Sequence, residues 1–268
     1  MEKNIHIQVA NASGNITIFV LDYFDRSLYQ TVATQLLAID ELAGEQVAFV
    51  TGENSMDMCG LEFCGNASRS FGLMLAKQRD MKGTGKIQIS VSGFDGILGV
   101  DVDTANNYTR VKMPIPLSVT TLEDTPIELL NGAALVDLGG IMHVVLTDID
   151  ASLETFNPIK DYINAEYNPP AMGVMYYHCE QNLLTPVVYV RDVDTTYFEG
   201  SCGSGSTAVA AAFCDEEKSG IFQFELQQPA GMIISTIEKA HGDIKNVWIQ
   251  GPVTLSEVKE VTIHVPEQ

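Results

Sequence analysis

The chain has 268 residues, 46% of them hydrophobic, and carries 15 Lys and Arg against 35 Asp and Glu, a formal net charge of −20. That length permits one large core or two of roughly 100–150 residues each. The acids are spread along the chain rather than gathered in a tail. They read as a solvated surface and disfavour nucleic acid and anionic membranes, which demand basic patches.

No apolar run reaches the roughly 18 residues of a membrane span. The opening MEKNIHIQVANASGN lacks the continuous apolar stretch of a secretory signal, and a cytoplasmic location is expected. The cysteines are Cys59, Cys64, Cys179, Cys202 and Cys214. Their odd number, in a chain large enough to fold without staples, argues against a disulfide framework. Neither a CxxC pair nor a His-x-x-x-His cluster occurs, so no metal is expected.

In chain order, IHIQVA (5–10) and NITIFVLD (15–22) flank NASG and predict a hairpin. A helical pattern follows over 27–39, with Ser27 as its N-cap and Leu28, Val32, Leu36 and Leu37 on one stripe. Then come the strand QVAFVTG, the loop MCGLEFCGN, a helix over 67–78, and the strands KIQISVSG, GILGVDVD and TRVKMPIP. The second half follows a similar plan. Strands at ALVDLGG, HVVLTDI, GVMYYH and TPVVYV lead to the loop EGSCGSG, a helix over 206–216, and the strands FQFELQQP, GMIISTIE and NVWIQGP.

This is an internal duplication: two β-rich halves, each with one long helix preceded by Cys-Gly. The stretch MPIPLSVTTLEDTP (113–126), with three prolines, is the expected linker. The last strand, VTIHV (261–265), lies beyond the second repeat and is free to return to the first. The expected domains are 1–117 plus 258–268, and 118–257.

The chemistry sits in FCGNASR (63–69) and SCGSGST (201–207). In each, a small-residue turn exposes the first-turn N–H groups of a helix, which attract anions by hydrogen bonding and through the helix dipole. A thiol placed there is expected to have a lowered pKa. Two such termini facing one another suit one carboxylate flanked by two thiols. Inverting a Cα centre calls for that arrangement, because one group must take the weakly acidic proton as another delivers one to the opposite face. Oriented N–H donors would hold the carboxylate as negative charge develops. Neither a pyridoxal-lysine motif nor G-x-G-x-x-G is evident, so no cofactor is expected. A lone cysteine is most often a small core residue; two matching copies in a duplicated chain favour chemistry. Cys179 and Cys214 read as structural, and Cys59 lacks the helix start that marks Cys64.

With these motifs in hand, the chain resembles the diaminopimelate epimerase superfamily of cofactor-independent, two-cysteine amino-acid racemases. ASGN (12–15), EQVAFV (45–50), QPAG (228–231) and QGP (250–252) are similar to that family's further motifs, over nearly the whole length. The resemblance implies an α/β (α+β) fold of two pseudo-symmetric domains, each a curved β-sheet around a central helix. It also implies Cys64 and Cys202 as the two bases. By the same resemblance, N–H groups of Gly65, Asn66, Gly203, Ser204 and Gly205 cradle the α-carboxylate, and Asn15, Gln46 and Asn66 fix the amino group and orient the thiols.

Where diaminopimelate epimerases carry asparagines and a Glu-Arg pair for the substrate's distal end, this chain departs. It has Ile141 in GIMH (140–143), which keeps His143, and Ala171 in AMGV (171–174). DTTYFEGSC (194–202) stands before the second cysteine, and a shortened loop brings Met58 near the third polar position. Losing groups built for a second polar head is costly to its recognition. GLEFCGN (60–66) and EGSCGSG (199–205) are similar instead to the histidine racemase branch of opine-metallophore pathways. Histidine is therefore the expected substrate, with Glu199, Glu62 and Glu45 as candidate carboxylates for its side chain. The competing expectations are a diaminopimelate epimerase, a racemase of another amino acid, and a catalytically silent amino-acid-binding protein. The expected partners are a small-molecule amino acid and at most a second copy of the chain as a homodimer.

Overall fold

The computed structural model describes residues 1–214 and 218–266. The chain divides into two compact units, Met1–Val111 with Gln250–Gln268, and Lys112–Ile249.

The first unit opens with β1 (Glu2–Ala12) and β2 (Asn15–Val20), paired antiparallel from Ala12 opposite Asn15. The turn residues Ser13 and Gly14 both have positive φ, 54° and 94°, as a tight two-residue hairpin turn demands. α1 (Tyr29–Leu37) then carries the chain to β3 (Gln46–Gly52), parallel to β2. The predicted helix over 27–39 starts later than expected. Residues Arg26–Leu28 form a 3-10 turn, and the capping oxygen belongs to Asp25, which accepts the Ser27 N–H. Val32 and Leu36 bury the inner face of α1 against Ile5, Ile7, Ile18, Phe49 and Ile263.

β4 (Ser55–Met58) returns antiparallel to β3, and α2 (Gly65–Gln78) crosses to β5 (Thr84–Val91), parallel to β4. β6 (Leu98–Asp103) and β7 (Tyr108–Met113) add antiparallel strands. Every residue of α2 from Gly65 to Ala76 is buried, and the helix meets β1, β5 and β6. A helix enclosed on all sides is a core element rather than an amphipathic one. Its small residues let the strands approach. A Cβ built at Gly72 would lie 2.6, 2.7 and 3.0 Å from three side-chain carbons of Val100. Gly72→Ala is therefore expected to destabilise the protein: overpacking costs ~1–3 kcal/mol and outweighs a helix-propensity gain of about 1. Calorimetry should show a fall in Tm of roughly 2–6 °C.

In the second unit β8 (Ser118–Thr121) pairs antiparallel with β9 (Ala134–Asp137), so the predicted linker over 113–126 contains a strand. β9 pairs antiparallel with β10 (Met142–Thr147), and α3 (Leu153–Tyr167) crosses to β11 (Ala171–His178), parallel to β10. β12 (Leu183–Val190) runs antiparallel to β11, with β13 (Thr195–Phe198) on its edge. α4 (Gly203–Phe213) leads to β14 (Gly220–Gln228), parallel to β12, and on to β15 (Gly231–Ala240), antiparallel to β14. The predicted end of this helix, Glu216, lies outside the described residues. Cys214, inside the predicted helix, instead forms the C-cap of α4, and its thiol donates to the Ala211 carbonyl.

The sequence of pairings is the same in both units: antiparallel, a parallel crossover through α1 or α3, antiparallel, a parallel crossover through α2 or α4, antiparallel. α3 is a helix that the sequence pattern did not reveal. Ser152 caps it, and Phe156, Ile159 and Ile163 bury its inner face, but Pro158 interrupts the pattern. The chain re-enters the first unit along β16 (Asp243–Leu255), whose end pairs with β1, and finishes in β17 (Lys259–His264), also on β1.

Candidate active site

Cys64 and Cys202 are the N-caps of α2 and α4, both in extended backbone conformation. The Ala67 N–H donates to Cys64 Sγ at 3.4 Å, and the Gly205 N–H donates to Cys202 Sγ at 3.3 Å. Four residues on from each cysteine, Ser68 and Ser206 donate their hydroxyls back to the cysteine carbonyl, both at 2.7 Å. The same local device thus holds each thiol at a helix start. The Gly205 N–H, one of those expected to cradle a carboxylate, bonds the thiol instead; the other first-turn N–H groups of α4 are those of Gly203 and Ser204, and in α2 those of Gly65 and Asn66.

In the first unit, Gln46 at the start of β3 donates through Nε2 to Cys64 Sγ (3.3 Å), Asn15 Oδ1 (2.7 Å) and Thr17 Oγ1 (2.8 Å). Asn15 donates in turn to Glu45 Oε2 at 3.0 Å. Asn15, Gln46 and Cys64 are therefore brought together, and Glu45 anchors them. Asn66 turns its Oδ1 toward Arg69, whose Nε donates to it at 3.1 Å. Glu62 lies in the loop before Cys64, where burial pushes its carboxyl up from the ordinary range.

In the second unit, Gln228 is 1% exposed and holds the Cys202 turn. Its Oε1 accepts the Cys202 N–H at 2.7 Å and its Nε2 donates to Ser206 Oγ at 2.9 Å. Burial drives the Cys202 thiol well above its ordinary range, and the negative charge of Glu199 and a hydrogen bond to it push the same way. The lowered pKa expected from the helix start is not what the site produces here. The N–H of Gly205 and the Ser204 hydroxyl do favour the thiolate, but they are outweighed.

His143 on β10 is fully buried, and burial lowers its pKa to about 3. It is neutral. Its Nε2 lies 2.9 Å from Ser204 Oγ, and Ser204 Oγ lies 3.4 Å from Cys202 Sγ. Nδ1 has no partner. The tautomer that leaves only a lone pair unpaired carries its proton on Nε2, which donates to Ser204 and frees the serine proton for Cys202 Sγ. Gly173 lets the ring fit, since a Cβ there would meet His143 Nδ1 at 2.6 Å. Sequence reasoning assigned no role to Arg69, Gln228 or His143, although all three lie in motifs it singled out, FCGNASR, QPAG and GIMH.

Solved structures share this fold over almost the entire chain. A predicted epimerase from Pseudomonas aeruginosa superposes with a TM-score of 0.67 at 12% identity, covering 97% of this chain and 99% of that one. A probable proline racemase from Agrobacterium radiobacter K84 gives 0.62 at 12%, covering 95% and 93%. The fold is a racemase and epimerase fold. In sequence, the histidine racemase of Fusobacterium nucleatum subsp. nucleatum is 30% identical over 255 residues, 91% of this chain and 92% of its own. That of Staphylococcus aureus is 26% identical over 257 residues, again 91% and 92%. The profile of the histidine racemase CntK N-terminal domain matches residues 4–260, and the chain belongs to that family.

Proposed function

We propose that this protein is a histidine racemase that works without a cofactor, with Cys64 and Cys202 as its two bases. The observation that carries the mechanism is the repeated site, in which each thiol caps a helix and accepts a first-turn N–H. Family membership supports the substrate.

In this reading one cysteine, as thiolate, takes the Cα proton of L-histidine, and the other, as thiol, gives a proton to the opposite face. The product is D-histidine, and the proton count of the thiol pair is unchanged. The first-turn N–H groups of Gly65, Asn66, Gly203 and Ser204 bind the α-carboxylate as charge builds on it. Gln46 steadies Cys64, and Glu199 both influences Cys202 and is the acid offered to the imidazole. Ile141 and Ala171 replace the polar groups that a diaminopimelate substrate would need. Among the described residues no helix is long and apolar enough to cross a membrane. A cytoplasmic location belongs to the same reading, since free cysteines suit a reducing compartment.

The test is a panel of amino acids incubated with the protein in D₂O and followed by NMR and chiral chromatography. Histidine is expected to gain α-deuterium and lose its enantiomeric excess. Inversion of diaminopimelate instead would replace the substrate assignment, and binding without any exchange would leave a silent binding protein.

A further inference from the structure

The two cysteine turns match in backbone but not in charge. Five residues beyond Cys64 stands Arg69, and five beyond Cys202 stands Thr207, whose hydroxyl merely bonds the Gly203 carbonyl. Arg69 is fully buried. Its guanidinium donates to Asn66 Oδ1 (3.1 Å), Ser13 Oγ (2.8 Å), Gly251 O (3.0 Å) and Pro252 O (3.1 Å). All four acceptors are neutral. A buried cation held without a carboxylate is unusual, because desolvating it is expensive unless a negative charge lies within its field.

The groups around Cys64 narrow what that negative charge can be. Glu45, bonded to Asn15, and Glu62 are the carboxylates nearest in the chain to this site, and neither is among the groups that act on the guanidinium. β5 and β6 carry Lys86 and Asp101, which pair with each other. β1 presents Ala12 to the helix. The groups that sense the guanidinium electrostatically are Tyr108 and Cys64. Burial lowers the Arg69 pKa only to about 10, so it stays charged at neutral pH. At the other helix, Cys202 is bonded to Glu199 and buried, a setting that favours the neutral thiol.

We propose that Arg69 is a positioning residue that decides which thiol is the base in the resting protein: its guanidinium supplies the counter-charge for Cys64, and the one proton shared by the pair resides on Cys202. This rests on the two-cysteine reading given above. Arg69 also holds the Asn66 side chain, the Ser13 turn and the Gly251–Pro252 carbonyls around the same helix start, so orientation and charge come from one residue.

Thiolate absorbance near 240 nm, followed from about pH 5 to 9, tests it in the wild type, Cys64→Ser and Cys202→Ser. A thiolate titrating below the ordinary cysteine range is expected in the wild type and in Cys202→Ser, and is expected to vanish in Cys64→Ser. Arg69→Gln should raise the midpoint by one unit or more, a tenfold loss of thiolate at pH 7, and Arg69→Lys should restore much of it. If Arg69→Gln does not fold by circular dichroism, the lysine variant and the two serine variants decide. A low-pH thiolate that survives in Cys64→Ser and disappears in Cys202→Ser would overturn the assignment. So would its absence from the wild type, or a midpoint indifferent to both Arg69 variants. Deuterium exchange into histidine is measured on the same samples. No exchange with the thiolate on Cys64 would fail the racemase reading alone; exchange with the thiolate on Cys202 would fail this proposal alone.

Discussion

Replacing either Cys64 or Cys202 by serine is expected to lower histidine racemisation by at least ~10³-fold, because a serine hydroxyl cannot serve as a base or acid near neutral pH. The fold should survive. Serine is a better N-cap than cysteine, and the N–H of Ala67 or Gly205 keeps an acceptor. With one thiol left, half of the chemistry remains open: a lone thiolate can remove the α-proton of one enantiomer and return a deuteron to the same face. Each single variant should therefore retain slow exchange into one enantiomer, the two variants favouring opposite ones, with inversion lost. Loss of optical rotation at the wild-type rate in both variants would reject the two-thiol mechanism.

The second large effect concerns acid. His143 is buried and neutral, with its pKa lowered to about 3 from the ordinary 6.5. Between those values the unfolded chain binds a proton at this position and the native protein does not. Stability contributed by the neutral ring is thus fully present above pH 6.5 and is lost progressively as pH falls toward 3. A depression of this size in a fully buried group corresponds to several kcal/mol. Chemical denaturation of the wild type should show a steep loss of stability from pH 6.5 downward, and His143→Leu should flatten that slope while weakening the protein at pH 7, where Ser204 loses its partner. A slope unchanged by the substitution would assign the acid sensitivity to other groups.

Much of this architecture was legible in the sequence because its signals are local. The NASG turn, the alternation of IHIQVA and NITIFVLD, and the Cys-Gly helix starts each declare themselves within a few residues. α3 did not, because Pro158 breaks the periodicity that Phe156, Ile159 and Ile163 would otherwise display. The duplication itself argues for that helix: if α1 makes the parallel crossover between β2 and β3, its counterpart must join β10 to β11. The site shows the same division. Both thiols are visible as motifs, whereas the pKa of Cys202 depends on burial and on Glu199, and no spacing rule reports burial. Gln228 and His143 reach the Cys202 turn from β14 and β10, at sequence separations of 26 and 61 for the bonds to Cys202 and Ser204. Such contacts exist only after the sheet has formed.

The return of β16 and β17 to β1 has a consequence for the order in which the molecule is built. The second unit is contiguous in the chain and can close as soon as its own strands are synthesised, whereas the first waits for the end of β16 and for β17, which come after it. Until they arrive, β1 lacks one edge neighbour, and the Gly251 and Pro252 carbonyls that receive Arg69 are missing. A nascent chain would thus hold its Arg69 guanidinium with only the Asn66 and Ser13 acceptors. The Cys64 turn takes its finished form only when the Gly251–Pro252 segment is in place, so a chain that stops before it carries the first motif without its geometry.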